Sequence, residues 1–341
     1  MNKGYFRRVH AQSPTRFWIN NPTLEQARLA LDAGAINATT NPTYTAKMLK
    51  SEEMRPLVLE IIKNAKSEAN ELYQVAAMTQ RRAVKLLLPL FEPLNKLNPN
   101  RQGFVSIQGD PMREDDPENI INEAIEDAKL GSNFIAKIPT TRAGLEAIRF
   151  LASKDVPIIA TEIMSISQCL AACEAYRKSG GEGAFFVTCI AGIFDDCLRI
   201  QASEGKLQVD PDILFQAGCA LMRRQYRVMS QENLPGILLG GGARGLHHFT
   251  EFVGGACDIT INWKGTADEL IRLDGAVINR MDTRENEFVL DELMAKSEVF
   301  AKAYLRDGLQ VDEFENFPPV RLFRGQFEAG WAELKKEIEN A

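Results

Sequence analysis

Lys137 is the residue whose type and surroundings are best suited to covalent chemistry. It lies in the apolar run Phe134–Pro139. Desolvation of an ammonium favours the neutral amine, and a neutral lysine amine adds to a carbonyl carbon to give an imine, or Schiff base. A lysine whose stem packs along an apolar edge while its ammonium reaches water fits the same residues. Both interpretations stay open on the local sequence alone.

Hydrogen-bonding side chains end most of the short apolar runs of the chain. A hydrophobic core needs none of them, and burying such a group without a partner costs a few kcal/mol. We therefore predict that these side chains converge on one polar site. In chain order they are Asn20, Thr40 with Asn41, Gln108, Lys137, Thr161, Thr188, the run from Gly240 to Arg244, and Asn262.

The elements that would position these residues follow a repeated pattern of strand and helix. Short runs rich in Val, Ile, Phe and Thr alternate with segments whose apolar residues recur every three or four positions, which is typical of parallel β/α units. Eight strands close a TIM (β/α)8 barrel, whose reactive groups lie at the C-terminal strand ends, and we predict this α/β fold. The predicted strands are Phe17–Asn20, Ala35–Thr40, Gly103–Gln108, Asn133–Ile138, Val156–Thr161, Ala184–Thr188, Gly236–Gly240 and Asp258–Asn262. The clearest predicted helices are Leu24–Ala33, Pro117–Leu130, Arg142–Ser153 and Ser165–Lys178.

Two helical stretches exceed what a minimal barrel needs. Residues from about 43 to 98 are predicted to form several helices inserted after strand two, and residues from about 285 to 341 a helical tail. We expect both to pack on the barrel, which covers residues from about 16 to 275, within a single domain of residues 1–341.

Composition excludes several classes of protein. The chain has 341 residues, 45% hydrophobic and 25% charged, with a net charge of −6 and scattered Lys and Arg, which argues against a nucleic-acid partner. Six cysteines without a Cys-x-x-Cys pair and three histidines form no zinc pattern, so we expect no metal and reduced thiols in the cytoplasm. We expect no secretory signal and no membrane span, because the N-terminus lacks an apolar stretch and no run of about 18 apolar residues occurs.

Two segments resemble signatures of the transaldolase family. Ala35–Pro42, which reads Ala-Ile-Asn-Ala-Thr-Thr-Asn-Pro, is similar to the family's second strand, and Phe134–Ile148 is similar to its Schiff-base strand and the following helix. Phe104–Gln108, Ile159–Ile163 and Ala184–Thr188 resemble strands three, five and six. The resemblance covers most of the barrel, and the helical insertion and tail are similar to those of the longer transaldolases.

The resemblance implies a chemistry without a metal or organic cofactor. A lysine adds to a ketose, a retro-aldol step releases an aldose, and the bound dihydroxyacetone carbanion attacks a second aldose. Carried over by position, Lys137 is the Schiff-base lysine, and Asn41, beside Thr40, binds substrate hydroxyls near C1. Thr161 orients the catalytic water, and Thr188 binds the dihydroxyacetone moiety.

The glycine run after strand seven is similar to the family's phosphate-binding segment. Successive backbone N–H groups in such a turn can cradle an oxyanion, and an arginine adds charge-assisted bonds. Gly242 and Arg244 are therefore predicted to bind the anionic end of a substrate. A tight turn that needs positive φ explains the glycines equally well.

The chain departs from the family pattern where protons are handled. The family's aspartate on strand one falls on Asn20 and its glutamate on strand three falls on Gln108. An amide forms hydrogen bonds but does not exchange a proton near neutral pH. Gln108 also resembles the small fructose-6-phosphate aldolases, but their loop tyrosine falls on Ile190, and the second family arginine falls on Ile193. Asn20 and Gln108 stay among the predicted catalytic positions.

Four acidic residues near the predicted barrel mouth could supply a displaced carboxylate: Asp110, Glu162, Asp195 and Asp196. Strand alternation would turn Glu162 away from the side that Thr161 occupies. Asp195 and Asp196 are equally well explained as charges at the start of a helix.

Three functions remain open. The first is a transaldolase-like enzyme acting on a sugar phosphate or related ketose through an imine. The second is a divergent aldolase for an unusual sugar without acceptor transfer, and the third is a non-catalytic sugar-binding barrel. In each case the expected partner is a small sugar, most simply a phosphorylated one, with no nucleic acid and no membrane. A homodimer remains open.

Overall fold

Eight parallel strands form a closed barrel in the order of the sequence in the computed structural model, which describes residues 4–341. Each strand pairs with the next, and the eighth pairs with the first. The predicted TIM barrel is therefore confirmed, and every observed strand begins and ends within two residues of the predicted one. The strands are β1 (Arg16–Asn20), β2 (Asn37–Thr39), β3 (Val105–Ile107), β4 (Phe134–Pro139), β5 (Ile158–Thr161), β6 (Phe185–Cys189), β7 (Ile237–Gly240) and β8 (Cys257–Ile261).

Helices connect the strands, and capping residues define where several of them begin. Thr23 and Gln26 form a reciprocal capping box at the start of the helix that ends before the left-handed Gly34. The first group of helices is α1 (Tyr5–Gln12), α2 (Leu24–Ala33), α3 (Tyr44–Leu49), α4 (Arg55–Glu68), α5 (Leu72–Lys85), α6 (Leu88–Leu97), α7 (Pro117–Ala128), α8 (Arg142–Ala152) and α9 (Ile166–Ser179). The second group is α10 (Ala191–Ser203), α11 (Pro211–Leu214), α12 (Ala217–Gln231), α13 (His247–Thr250), α14 (Asp268–Leu273), α15 (Glu287–Lys296), α16 (Glu298–Tyr304) and α17 (Pro318–Asn340).

The amino-terminal end of the barrel interior is closed by a buried polar cluster. Asp258 on β8 accepts a 2.7 Å hydrogen bond from the indole Nε1 of Trp18 and bonds of 2.5 Å from both terminal nitrogens of Arg101. Trp18 packs edge-on against Phe186 with the ring centroids 4.8 Å apart. A buried carboxylate needs such pairing, so this end is sealed and polar chemistry is left to the opposite end.

The helical insertion after β2 and the helical tail lie over the barrel. The insertion is made of α3 to α6, and α17 packs against α3, α5 and α10. Gly330 marks the closest approach of α17 to the segment after β2, because a Cβ there would lie 2.9 Å from Cγ2 of Thr43. Lys50, the residue directly after α3, also pairs with Glu333 of α17 at 2.8 Å. The tail thus reaches the edge of the barrel at which the strands end.

Candidate active site

A cavity opens at the C-terminal end of the barrel. It encloses about 770 Å³, counting the open space at its mouth. Parallel strands end on the same side, so the last polar residues of several strands meet there. Its lining is Asn20, Thr39, Asn41, Thr43, Lys47, Lys137, Thr161, Thr188, Ile190, Ile193, Leu239, Gly241, Gly242, Arg244, Thr260, Asn262, Phe323, Gln326 and Phe327.

Seven of the nine predicted site residues line this cavity, and two do not. Thr40 lies just behind it: its hydroxyl donates to the Ser106 carbonyl oxygen at 2.6 Å, and its own carbonyl faces Lys137. Gln108 is also buried outside the lining, against two glutamates. The residues that converge on the cavity are Asn20, Asn41, Lys137, Thr161, Thr188, Gly242 and Arg244.

Lys137 is a buried amine at this cavity. The residue is only 8% exposed, and its Nζ donates to the Thr40 carbonyl oxygen at 3.3 Å. Nζ also lies 5.9 Å from the ring centroid of Phe327 on α17. Burial lowers the pKa of Lys137 to about 8, although the nearby Glu162 and Glu114 carboxylates act in the opposite direction. A measurable fraction of this amine is therefore neutral near pH 7.

The amide of Asn20 is fixed by a network across three strands. Its Nδ2 donates to Oδ1 of Asn262 at 2.9 Å, and its Oδ1 accepts from the Thr39 hydroxyl at 3.0 Å. The Thr39 and Thr260 hydroxyls are 2.6 Å apart. Asn20 is thus held in one orientation as a hydrogen-bonding group, and an amide so placed is not a proton acceptor near neutral pH.

Asn41 and two threonines present further hydrogen-bonding groups to the cavity. Oδ1 of Asn41 accepts from the backbone N–H and the hydroxyl of Thr43 at 3.0 and 2.7 Å, and these bonds do not use its Nδ2 protons. The hydroxyls of Thr161 and Thr188 are buried and have no hydrogen-bond partner among residues 4–341. Unsatisfied buried hydroxyls beside a cavity are expected where a ligand or water completes them.

Gln108 bridges two buried carboxyl groups. Its Nε2 donates to Oε1 of Glu162 at 2.8 Å and to Oε1 of Glu114 at 3.0 Å. Burial raises the pKa of Glu162 to about 7 and raises that of Glu114 well above its usual range. Glu162 is absent from the lining of the cavity next to Thr161, which agrees with strand alternation. Strand geometry does not predict the bond of Glu162 to Gln108. Glu162 lies just after β5, and its left-handed φ of 61° departs from strand geometry.

The glycine run forms a turn beside the cavity, and the side chain of Arg244, at the end of this run, is held by a residue of α10. Gly242 has φ of 69°, and a Cβ there would lie 2.7 Å from Cγ2 of Ile190, so the turn needs a glycine at this position. Nε of Arg244 pairs with Asp196 at 2.5 Å. The backbone N–H of Arg244 donates to Nδ1 of His248 at 3.2 Å. The arginine is therefore positioned at the cavity by contacts to its side chain and its backbone.

His248 continues into a buried hydrogen-bonded chain. Its Nε2 lies 3.0 Å from Oδ2 of Asp195, whose Oδ1 accepts from the Gly218 backbone N–H at 2.7 Å. His247 brings a third potential metal ligand within 4.8 Å of these atoms. Both ring nitrogens of His248 are already hydrogen bonded, so this group fits a support for the Arg244 turn better than a metal centre. Asp195 thus belongs to this support of the Arg244 turn.

Lys47 and the face of α17 are cavity residues that sequence reasoning missed. Lys47 lies on α3, and desolvation together with the Arg244 guanidinium lowers the pKa of its ammonium. Phe323, Gln326 and Phe327 reach the same cavity from α17. Lys47 is six residues after Asn41, a spacing that could have suggested a second cation. No local signal showed that the tail would fold over the mouth.

Comparisons with known proteins agree in the family they indicate. A model described as Transaldolase/Fructose-6-phosphate aldolase matches residues 17–315. A transaldolase of Helicobacter pylori (strain Shi470) is 32% identical over 140 residues, which are 40% of this chain and 42% of that protein. A probable transaldolase of Chlorobium phaeobacteroides (strain BS1) is 26% identical over 196 residues, 57% of this chain and 68% of that protein. The chain thus spans less than half the length of the Helicobacter relative in that match. Within residues 4–341, none of the helices combines the length and hydropathy that a membrane crossing requires.

Proposed function

Because the chain belongs to the transaldolase and fructose-6-phosphate aldolase family, we propose that it transfers or cleaves a dihydroxyacetone unit of a sugar phosphate through an imine on Lys137. The observation that carries this proposal is the amine of Lys137, which is 8% exposed and has a pKa near 8 at a polar cavity. Such an amine attacks the C2 carbonyl of a ketose without a metal or organic cofactor.

The residues around Lys137 have distinct proposed roles. Once the imine at C2 is protonated it withdraws the electron pair of the C3–C4 bond, which breaks as the C4 hydroxyl gives its proton to water; C4 leaves as the carbonyl carbon of the aldose, and C3 stays bound as part of an enamine. The unpaired hydroxyl of Thr161 orients the water that leaves and later returns, and that of Thr188 binds the dihydroxyacetone moiety. The free Nδ2 protons of Asn41 bind hydroxyls near C1, while Asn20 donates or accepts hydrogen bonds without exchanging a proton.

The anionic end of the substrate is proposed to bind between Arg244 and Lys47. Both line the cavity, and the two cations are close enough that the charge of Arg244 lowers the pKa of Lys47. Nε of Arg244 is occupied by Asp196, but a guanidinium has five N–H donors and can bind a phosphate with the others. The turn at Gly242 brings backbone close to the same end. A phosphate in this place neutralises an otherwise repulsive pair of cations.

Reductive trapping tests the proposed imine directly. The protein is incubated with fructose 6-phosphate, dihydroxyacetone and related ketoses in the presence of borohydride, and the peptide carrying Lys137 is analysed by mass spectrometry. We expect a covalent adduct on Lys137 and none on Lys47, whose amine is needed as a cation. Ligand binding without an adduct on any ketose of the panel would refute the imine and support a sugar-binding barrel.

A divergent aldolase without acceptor transfer is the second candidate. The fixed amide of Asn20 and the presence of Ile193 at the cavity favour it, because both differ from the transaldolase pattern. The discriminating measurement is donor cleavage with and without erythrose 4-phosphate. Release of an aldose that does not depend on the acceptor would support the aldolase, and strict dependence would support the transferase.

A further inference from the structure

Beside Lys137 the protein buries two carboxyl groups that share one amide. Glu114 follows β3 and Glu162 follows β5, and Nε2 of Gln108 donates to one oxygen of each. Glu162 is only 1% exposed and Glu114 only 3%. Two ionised carboxylates in this position would repel each other and lack water, so at least one of them holds a proton.

The remaining oxygens of the pair are left without hydrogen bonds. Oε2 of Glu162, Oε2 of Glu114 and Oε1 of Gln108 are buried and have no hydrogen-bond partner among the described residues. Glu162 also adopts φ of 61°, a left-handed conformation that is strained for a non-glycine residue. The fold therefore maintains an acid at this point against both strain and desolvation, as is common at functional sites.

The charged groups that face Glu162 are Glu114, which follows β3, and three residues on β4 and α17. Lys137 approaches from β4, and α17 contributes Arg324 and Glu328. Nε of Arg324 lies 3.9 Å from Oε2 of Glu114, while its stronger partner is Glu328 at 3.2 Å. Arg324 is therefore largely paired within its own helix, and Lys137 is the cation whose charge changes during the proposed reaction.

We propose that Glu162, which Gln108 links to Glu114, is the buried negative counter-charge of the iminium formed on Lys137, because Lys137 lines a small cavity together with Gln108 and Glu114. This inference rests on the proposed imine chemistry. The free site contains either an ammonium with a carboxylate or an amine with a carboxylic acid. When the amine adds to a ketone, the carbinolamine expels its hydroxyl with the proton of the carboxylic acid as water and a carbon–nitrogen double bond forms. The reactants are the amine, the ketone and the carboxylic acid, and the products are the iminium, the carboxylate and water.

Glu162 acts here through charge and is a positioning residue, since it does not line the cavity. Its role differs from that of the carboxylates which the family pattern places on strands one and three. The iminium withdraws electrons only while its nitrogen is protonated, and a buried counter-charge favours that protonated form. Gln108 holds the counter-charge in place, and an amide suits that role because it donates to both glutamates at once.

Proton uptake during imine formation tests the inference. Dihydroxyacetone carries no titratable group, so its binding is measured by calorimetry between pH 6.5 and 9 in two buffers of different ionisation enthalpy. Proton uptake on binding begins at the pH at which Lys137 becomes neutral in the free protein. In Glu162→Gln we expect its midpoint to fall by about one pH unit, and we expect dihydroxyacetone to bind about tenfold more weakly at pH 9 but only about twofold more weakly near pH 7. Glu123→Gln is the matched control, because burial also raises the pKa of Glu123 to about 7 but Lys137 is not among its charge partners.

Three results separate the possible failures. An uptake midpoint unchanged in Glu162→Gln overturns the inference while leaving the imine intact. A shift of equal size in Glu123→Gln overturns it as well, because the effect would then be nonspecific. Absence of a trapped adduct in the unmodified protein overturns the proposed function itself. If Glu162→Gln does not fold, Glu162→Asp keeps the acid and is expected to keep the midpoint within half a pH unit of the unmodified protein, and a fall of a full unit refutes the role of charge.

Discussion

Replacing Lys137 by methionine is expected to stabilise the folded protein. Burial lowers the pKa of Lys137 from its usual 10.5 to about 8. At pH 7 the amine is protonated in the unfolded chain and mostly protonated in the fold, so burying the ammonium costs about 3 kcal/mol. Methionine is similar in length and carries no charge. It loses the 3.3 Å hydrogen bond to Thr40, worth about 1 kcal/mol, which leaves a net gain of about 2 kcal/mol.

Because the pKa of Lys137 is lowered in the fold, the stability gain of Lys137→Met depends on pH. The cost is fully present below pH 8 and disappears as the pH rises towards 10.5, because the amine is then neutral in both states. Urea unfolding at pH 7 and pH 9.5 measures the free energy of unfolding of both proteins. We expect the gain of about 2 kcal/mol at pH 7 to shrink below about 1 kcal/mol at pH 9.5.

A matched substitution on the surface separates charge burial from a general benefit of methionine. Lys63 lies exposed on α4, and Lys63→Met should change the free energy of unfolding by less than about 0.5 kcal/mol at either pH. If Lys137→Met is no more stable than the unmodified protein at pH 7, or if its gain is the same at both pH values, the buried-amine argument is wrong.

Three further changes test other parts of the site. Arg244→Ala should raise KM for a phosphorylated ketose about 10- to 100-fold, because charge-assisted bonds are lost, while trapping of dihydroxyacetone stays within about threefold; equal losses for both would contradict an anion site. Phe327→Ala admits water beside Lys137 and should move the pKa of Lys137 back towards 10.5. The pH dependence of trapping measures this shift, and an unchanged dependence would show that the Phe327 ring does not contribute to the lowered pKa. Gln108→Glu removes both N–H donors between two acids and should lower thermal stability more at pH 8 than at pH 5, and a loss independent of pH would contradict the shared-amide arrangement.

The barrel could be predicted from the sequence because its signals are local and repeated. Each strand is a short apolar run with a turn at its end, and eight such runs separated by helices favour the closed parallel barrel that the structure shows. The same logic placed Asn20, Thr161 and Thr188 correctly at the cavity, since side chains at strand ends share one edge. Thr40 and Gln108 were the exceptions: the Thr40 hydroxyl turns to Ser106 and only its carbonyl faces the lysine, and the Gln108 amide turns to two glutamates.

The remaining features depend on contacts between distant segments. Nothing near Phe327 indicates that α17 crosses the barrel mouth, and the crossing depends on a close approach of Gly330 to Thr43. The link between Gln108 and Glu162 spans 54 positions and depends on one left-handed residue that propensity does not predict. Sequence patterns locate the strand ends, whereas burial of the amine and of the two acids arises only from tertiary packing.

The position of α17 in the sequence means that the ribosome makes this helix after all the strands of the barrel. Its 23 residues, Pro318–Asn340, carry Phe327, the ring that covers the amine of Lys137. Domains begin to fold from the N-terminal side while the chain is still growing. A barrel without this helix would leave the amine of Lys137 more open to water on the side that Phe327 covers. The burial that lowers the pKa of Lys137 is therefore complete only after α17 has docked.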